Sequence, residues 1–288
     1  MIPSSFDYHA PKTLKSAIRL LNENEDAKVL SGGHSLIPLM KFRFATPKVV
    51  IDLGRVPGLS RIKISGGAIQ IGALTTHYAI ESNARLKRVC AVLPETASQI
   101  GDAQVRNRGT IGGSVVHADP AADWPAAMVA LDAEFEISGT DGTRTVSASD
   151  FFVDMMTTSI EEGEILSQIR IPKPPPHTGS AYAKMHQSAS GFAIVGVAAQ
   201  VTLDDSGNVR AAAVGVTGVA PTPYRASAVE SALVGKTPDE AAISAASAHA
   251  AEGAEDFNED HHASGDYRKH LASVYAKRAL TAAVERAS

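Results

Sequence analysis

The sequence predicts an α+β protein in two parts, and three observations carry that reading. Before Pro172, short strand-like segments alternate with helical ones. In "IPKPPPHTG", Pro172, Pro174, Pro175 and Pro176 remove backbone donors and fix an extended path, which makes a stiff connector. Beyond it, three strand-like runs come first and three alanine-rich helical runs follow. The expected domains are therefore 1–173, with subdomains of about 1–55 and 56–173, and 178–288.

The elements follow in order. Thr13 is placed to cap a helix whose apolar positions Leu14, Ala17, Ile18 and Leu21 recur at helical spacing. "AKVL" reads as a short buried strand that ends in the turn "SGGHS", and "KVVIDLGRV" as a second strand. Alternating apolar residues on both sides of Gly66-Gly67 predict a hairpin. Helical texture returns in "TTHYAIESNARLK" and "CAVLPETASQIGD". After the glycine-rich stretch 108–131, "AEFEISG" and "TRTVSASDFF" read as strands joined by a turn at Gly139 to Gly142, and "EILSQIRIP" as a half-buried strand. The second part begins with "SAYAKMHQ", "FAIVGVAAQVTLD" and "VRAAAVGVTGV", three strands of an antiparallel sheet. "PYRASAVESALVG", "PDEAAISAASAHAAEG" and "DYRKHLASVYAKRALTAAVERA" are helices whose alanine faces suit close packing.

Composition narrows the function. With 288 residues, 44% hydrophobic, and a net charge of −4, the chain has ample core and no basic cluster that would draw nucleic acid. No stretch of about 18 apolar residues would span a membrane, and the first residues lack a signal-peptide pattern, so a cytoplasmic protein is the expectation. A single cysteine, Cys90, excludes an internal disulfide and a cluster held by four thiolates; it reads as a small buried apolar residue.

Two glycine pairs look alike, in "SGGHS" and "TIGGS": each follows a hydroxyl residue and is trailed by another. Glycine exposes backbone N–H groups with no Cβ in the way, and several such groups in a tight turn attract anions. Two such turns facing each other would suit a pyrophosphate, although on spacing alone a pair of glycines is more often a plain turn. The chain has no G-x-G-x-x-G, no Walker loop and no G-x-S-x-G elbow. His117, Asp119 and Asp123 are read as a turn at Asp119-Pro120 and a helix cap at Asp123 rather than metal ligands. His261 and His262 belong to a polar loop.

"SFDYHAPKTLKSAIRLL", "SGGHSLIPLMKFR", "GALTTH", "QVRNRGTIGGSVVHADPAAD", "GEILSQIRIP" and "DYRKHLASVYAKRAL" together resemble the FAD-binding medium subunits of molybdenum hydroxylases, the carbon monoxide dehydrogenase and xanthine dehydrogenase family. The resemblance implies a PCMH/VAO-type FAD-binding domain of two subdomains, then a C-terminal domain with a three-stranded antiparallel sheet and a helix bundle. It implies non-covalent FAD with its pyrophosphate between the turns Ser31, Gly32, Gly33, His34, Ser35 and Thr110, Ile111, Gly112, Gly113, Ser114. By position it assigns Asp123 as an acceptor for the isoalloxazine edge, Ile100 and Leu166 as lining residues, Lys184 as a cofactor contact and Phe192 as an aromatic near the ring. Ser114 stands where the family usually has asparagine, "HQSASG" where many members have charged residues, and Phe192 where some have tyrosine.

The implied function is electron transfer. An iron–sulfur small subunit and a molybdopterin large subunit would hold the other cofactors, in a dimer of heterotrimers placed in the cytoplasm or at the inner face of the membrane. No acid, base or nucleophile is assigned on this chain. Two other readings stand beside it: a self-sufficient FAD oxidoreductase and a non-redox nucleotide-binding assembly protein.

Overall fold

Val49, Val50 and Ile51 are β-branched and at most 7% exposed, and they form the middle of a small parallel sheet. The structure, a computed structural model, describes residues 1–287, so Ser288, the end of the expected C-terminal domain, lies outside the described residues. Strand β3 (Val49–Asp52) is flanked by β1 (Asp7–His9) and β2 (Ala27–Leu30), both parallel to it. Parallel strands need crossovers, and α1 (Leu14–Glu23) carries the chain from β1 to β2 on the far side of β3. Thr13 caps this helix, its Oγ1 accepting from the Ser16 amide at 3.1 Å, and Ala17 and Ile18 are buried against the sheet. Only Ala27 of β2 is buried, so this strand is more open than its apolar run suggests. Helix α2 (Leu36–Phe42) leaves the first glycine turn.

The second sheet is antiparallel, in the order β4 (Ile62–Ser65), β5 (Ala68–Gly72), β10 (Ile165–Pro172), β6 (Glu134–Gly139), β7 (Gly142–Ser147). The two expected hairpins close at Gly66-Gly67 and between Gly139 and Gly142. β10 is the central strand, and from Ile169 on it alternates as expected, with Ile169 and Ile171 at 0% exposure and Arg170 and Pro172 exposed. Six helices intervene between β5 and β6: α3 (His77–Glu81), α4 (Ala84–Val89), α5 (Val92–Ser98), α6 (Ala103–Arg108), α7 (Ile111–His117) and α8 (Trp124–Ala130). Apolar residues of five of these helices, α6 burying none, share with the sheet one core that includes Ile69, Leu93, Trp124, Phe135 and Ile169. Each fully buried Ile, Leu or Phe there contributes roughly 1.5–3 kcal/mol. After β7 come α9 (Ala148–Phe151) and the small hairpin β8 (Phe152–Asp154) and β9 (Thr157–Thr158).

Past the proline connector, β11 (Thr178–His186), β12 (Ala193–Leu203) and β13 (Val209–Thr217) form the expected antiparallel sheet, to which the two-residue β14 (Tyr224–Arg225) adds an edge. The period of two sorts its faces. Ala181, Val195, Val197 and Val214 pack with α10 (Ser227–Leu233), α11 (Glu240–Ser247) and α12 (Gly265–Ala287), while Tyr182 and Ala198 belong to the core of the first part. Backbone contact makes both faces tight: Cβ atoms built on Gly179 and Gly215 would stand 2.0 Å from the Ala283 carbonyl oxygen on α12 and 2.1 Å from the Ala126 carbonyl oxygen on α8. The C-terminal sheet is thus clamped between its own helices and α8.

Candidate functional site

The two glycine pairs are physically different. In the first turn Gly33 has φ +77°, the left-handed region, and its carbonyl accepts from the Ile37 amide at 3.1 Å. His34 turns back on the loop, Nδ1 lying 3.0 Å from the Gly32 carbonyl oxygen. The amides of Gly32, Gly33, His34 and Ser35 have no hydrogen-bond partner among the described residues. Four successive free N–H groups in a glycine turn form a cradle for an anion.

The second pair lies inside helix α7. Thr110 is its N-cap, and its hydroxyl accepts from the Gly113 amide at 3.1 Å. Ile111 and Gly112 donate to the carbonyls of Thr75 and Ala73 at 3.0 and 2.9 Å, and Ser114 to that of Thr110 at 3.1 Å. These amides are all engaged, which corrects the expectation of two equivalent open turns. Gly112 is required for close approach, since its Cβ would stand 2.5 Å from the Ala73 Cβ. The turns do meet: a Cβ on Gly32 would be 2.3 Å from the Arg108 carbonyl oxygen, and Ser31 Oγ and Thr110 Oγ1 are hydrogen-bonded at 2.7 Å.

Below this junction His77 donates its backbone N–H to the Gly109 carbonyl at 3.0 Å. Its ring accepts at Nδ1 from the Trp124 indole at 3.1 Å, and because an indole only donates, Nδ1 is the unprotonated nitrogen. Burial first, then His34 and Arg106 nearby, push the His77 pKa down to about 4, so it is neutral at pH 7. This bond ties the glycine junction to the start of α8.

There Asp123 is 4% exposed. It occupies the N-cap position of α8 but makes no cap hydrogen bond, contrary to the helix-cap expectation. Its carboxylate turns to the C-terminal sheet instead. Lys184 Nζ lies 2.8 Å from Oδ1 and donates to Oδ2 at 3.0 Å, and the Tyr182 hydroxyl donates to Oδ1 at 2.6 Å. Lys184 also donates to the Gln99 carbonyl at 2.8 Å. Burial pushes the Asp123 carboxyl above its ordinary range, opposed by the Lys184 ammonium and by the hydrogen bonds of Lys184 and Tyr182. With 1% and 5% of their side chains exposed, Lys184 and Asp123 form a buried pair that joins the two parts of the chain.

Ile100 follows Gln99 at the edge of this cluster and is partly buried. Phe192 is 45% exposed, and Gly191 before it lies over Gly101, where its Cβ would be 3.8 Å from Gly101 Cα. Leu166 is 4% exposed within the first core. Among the described residues no three His, Cys, Asp or Glu side chains gather as metal ligands, and no helix is long and apolar enough to cross a membrane. Sequence reading missed Tyr182 and His77. The signal for Tyr182 was its place two residues before Lys184 on a strand, which puts both on one face.

Residues 4–174 match the family model described as the FAD binding domain in molybdopterin dehydrogenase, and residues 180–283 that of the CO dehydrogenase flavoprotein C-terminal domain. Fold and site together define an FAD-binding oxidoreductase subunit. The carbon monoxide dehydrogenase medium chain of Hydrogenophaga pseudoflava is 41% identical over 288 residues, covering 98% of each chain. The 6-hydroxypseudooxynicotine dehydrogenase complex subunit alpha of Paenarthrobacter nicotinovorans is 37% identical over 288 residues, covering 100% of this chain and 97% of that one. The solved carbon monoxide dehydrogenase of Hydrogenophaga pseudoflava that lacks the Mo-pyranopterin moiety of its molybdenum cofactor superposes with a TM-score of 0.94 at 41% identity, covering 99% of each chain. The chain belongs to the family of FAD-binding medium subunits of molybdenum hydroxylases.

Proposed function

We propose that this chain is the electron-transfer subunit of a molybdenum hydroxylase complex, taking electrons from iron–sulfur clusters on a small subunit and passing them to an external acceptor. The observation that carries the reading is the run of four free amides at Gly32 to Ser35, pressed by Gly32 against the second glycine segment. That cradle fits a pyrophosphate, and the buried Asp123–Lys184 pair fits the polar edge of a flavin. The residues that would hold FAD are Ser31, Gly32, Gly33, His34 and Ser35 together with Thr110, Ile111, Gly112, Gly113 and Ser114. Asp123 and Lys184 would orient the ring, with Ile100, Leu166 and Phe192 as its apolar surroundings. FAD, when bound, supplies two-electron uptake and stepwise release. The chain fixes the cofactor's position and keeps water from its polar edge; no residue need carry a proton for a substrate.

The division at the proline connector, 1–173 and 178–288, makes Asp123 and Lys184 partners from different domains. The molybdenum cofactor belongs on a large subunit, and the complex is a dimer of heterotrimers. Relatives named for carbon monoxide and for 6-hydroxypseudooxynicotine match this chain along nearly its whole length, which supports a substrate chosen on another chain. The test is expression alone and with candidate partner chains, followed by dye reduction with a panel of substrates. Turnover only in the complex, with FAD released into the supernatant on acid precipitation, is expected. Full turnover by this chain alone would mean a self-sufficient oxidoreductase.

A further inference from the structure

Tyr182 and Lys184 leave β11 on the same face, toward α8. The Tyr182 ring is 6% exposed, and its backbone amide donates to Glu95 Oε2 at 2.9 Å, which anchors the strand at that residue. Room for its hydroxyl comes from Gly196 on β12, paired opposite Lys184: a Cβ there would stand 2.1 Å from the hydroxyl oxygen. A carboxylate has about four acceptor positions. On Asp123, Tyr182 and Lys184 both lie at Oδ1, at 2.6 and 2.8 Å, and Lys184 takes one position of Oδ2 at 3.0 Å. By hydrogen bonds of ordinary geometry one acceptor position on Oδ2 is left, the Asp123 backbone amide facing the carboxylate without making such a bond.

We propose that Tyr182 is a positioning residue of the cofactor site that acts through Asp123: its hydroxyl saturates Oδ1 and so reserves Oδ2 as the acceptor for an N–H of the FAD ring. The proposal rests on the assignment of FAD to this site. Lys184 alone would leave the carboxylate free to turn about its Cβ–Cγ bond, because an ammonium is a point charge with no preferred plane. A second donor held by a rigid ring on the same strand removes that freedom. The hydroxyl also favours the ionised carboxylate, alongside the Lys184 charge and the Asp123 amide, against the burial that raises its pKa. The titratable groups facing this carboxylate are Lys184 and Tyr182, both from β11; α8 and the segment before it offer only the Asp123 amide, and Gln99 offers a carbonyl beyond Lys184. Burial and the neighbouring Asp123 hold the Tyr182 hydroxyl well above its ordinary pKa of 10.0, so it remains a donor at every working pH.

The experiment is an FAD titration of the full chain freed of cofactor, for the wild type, Tyr182→Phe, Gly196→Ala and the double variant, between about pH 5 and about pH 8, with thermal unfolding as a separate readout of folding. Tyr182→Phe is expected to bind FAD about tenfold more weakly at neutral pH, the size of one hydrogen bond to a charged group. The acid limb, where affinity falls as the carboxyl takes a proton, is expected at higher pH than in the wild type. Gly196→Ala, whose methyl group collides with the hydroxyl, should move both readouts in the same direction. It should cost less when added to Tyr182→Phe, where that oxygen is gone. A Tyr182→Phe chain with the wild-type acid limb overturns the proposal even if its thermal stability drops, since packing alone does not move that limb. If Tyr182→Phe fails to fold, Gly196→Ala carries the same two readouts. A wild-type chain that binds no FAD overturns the site assignment itself, which is a different result.

Discussion

Gly215 on β13 and Ala126 on α8 touch backbone to backbone: a Cβ on Gly215 would stand 2.1 Å from the Ala126 carbonyl oxygen. Neither partner there is the flexible end of a side chain, so the contact sets how far α8, and Asp123 at its start, sits from the sheet that carries Lys184. Gly215→Ala is expected to push the helix out and lower stability by about 1–3 kcal/mol, the range for overpacking a tight core. FAD affinity should fall with it, because the Asp123–Lys184 distance is set by the same contact. Denaturant unfolding and an FAD titration check this; wild-type values in both would show that the contact relaxes without consequence.

Lys184→Met leaves the Asp123 carboxyl buried without its cation, a loss of about 3–5 kcal/mol if the charge has to stay. The carboxyl escapes part of this by taking up a proton, so its pKa rises further above the ordinary 3.8. A folded-state pKa above the unfolded one gives stability that is lost as pH rises through the folded value. The variant should therefore lie closest to the wild type in acid and fall progressively behind it toward pH ~8. Melting temperatures measured across that range decide it, and a gap that is constant with pH would contradict the ionic role of the pair.

Arg144 and Glu164 test the opposite sign. The guanidinium donates to both carboxylate oxygens, at 2.7 and 2.6 Å, and holds the Glu164 pKa below its ordinary 4.5. Stability from this pair is present above that value and is lost as pH falls through the folded pKa. Arg144 is 37% exposed, so solvent screening limits the effect of Arg144→Met to about 1 kcal/mol. The difference from wild type should be full at neutral pH and close in acid, as read by chemical denaturation.

Gly112 and Gly113 are neighbours with different needs. A methyl group on Gly112 meets Ala73 Cβ at 2.5 Å and its carbonyl oxygen at 2.6 Å, and neither has room to move. On Gly113 its one close contact is the Thr110 hydroxyl at 2.8 Å, with Ser31 no nearer than 3.7 Å. Gly112→Ala should therefore be the more damaging of the two in thermal unfolding. Gly113→Ala should lose chiefly the Thr110 cap, about 1 kcal/mol. Equal losses would mean that the contacts at Ala73 and at Thr110 constrain the two glycines alike.

Cys90 is 2% exposed, and burial pushes its thiol up to about 12. It should be unreactive toward a thiol reagent at mild alkaline pH in the folded chain and react stoichiometrically once unfolded. Fast labelling of the folded chain would place this thiol in an open, electropositive setting that the structure lacks.

Much of this was legible in the residues. Thr13, the Gly66-Gly67 hairpin and the alternation in "FAIVGVAAQVTLD" determined their elements because caps, turns and strand faces depend on neighbours within a few positions. The run of several motifs along the whole chain determined the family. Other features depended on residues far apart in the chain. The two glycine pairs read alike, yet one leaves its amides free and the other gives them to Ala73 and Thr75, because only the fold lays residues 73–77 beside 109–112. Asp123 sits where a helix cap belongs and points instead at a strand 59 positions away, to the hydroxyl of Tyr182. Local sequence thus determined which segments turn, coil or extend. Tertiary structure alone decided which polar groups find partners, since a buried carboxylate takes the strongest donors that packing brings within reach, however distant they are along the chain.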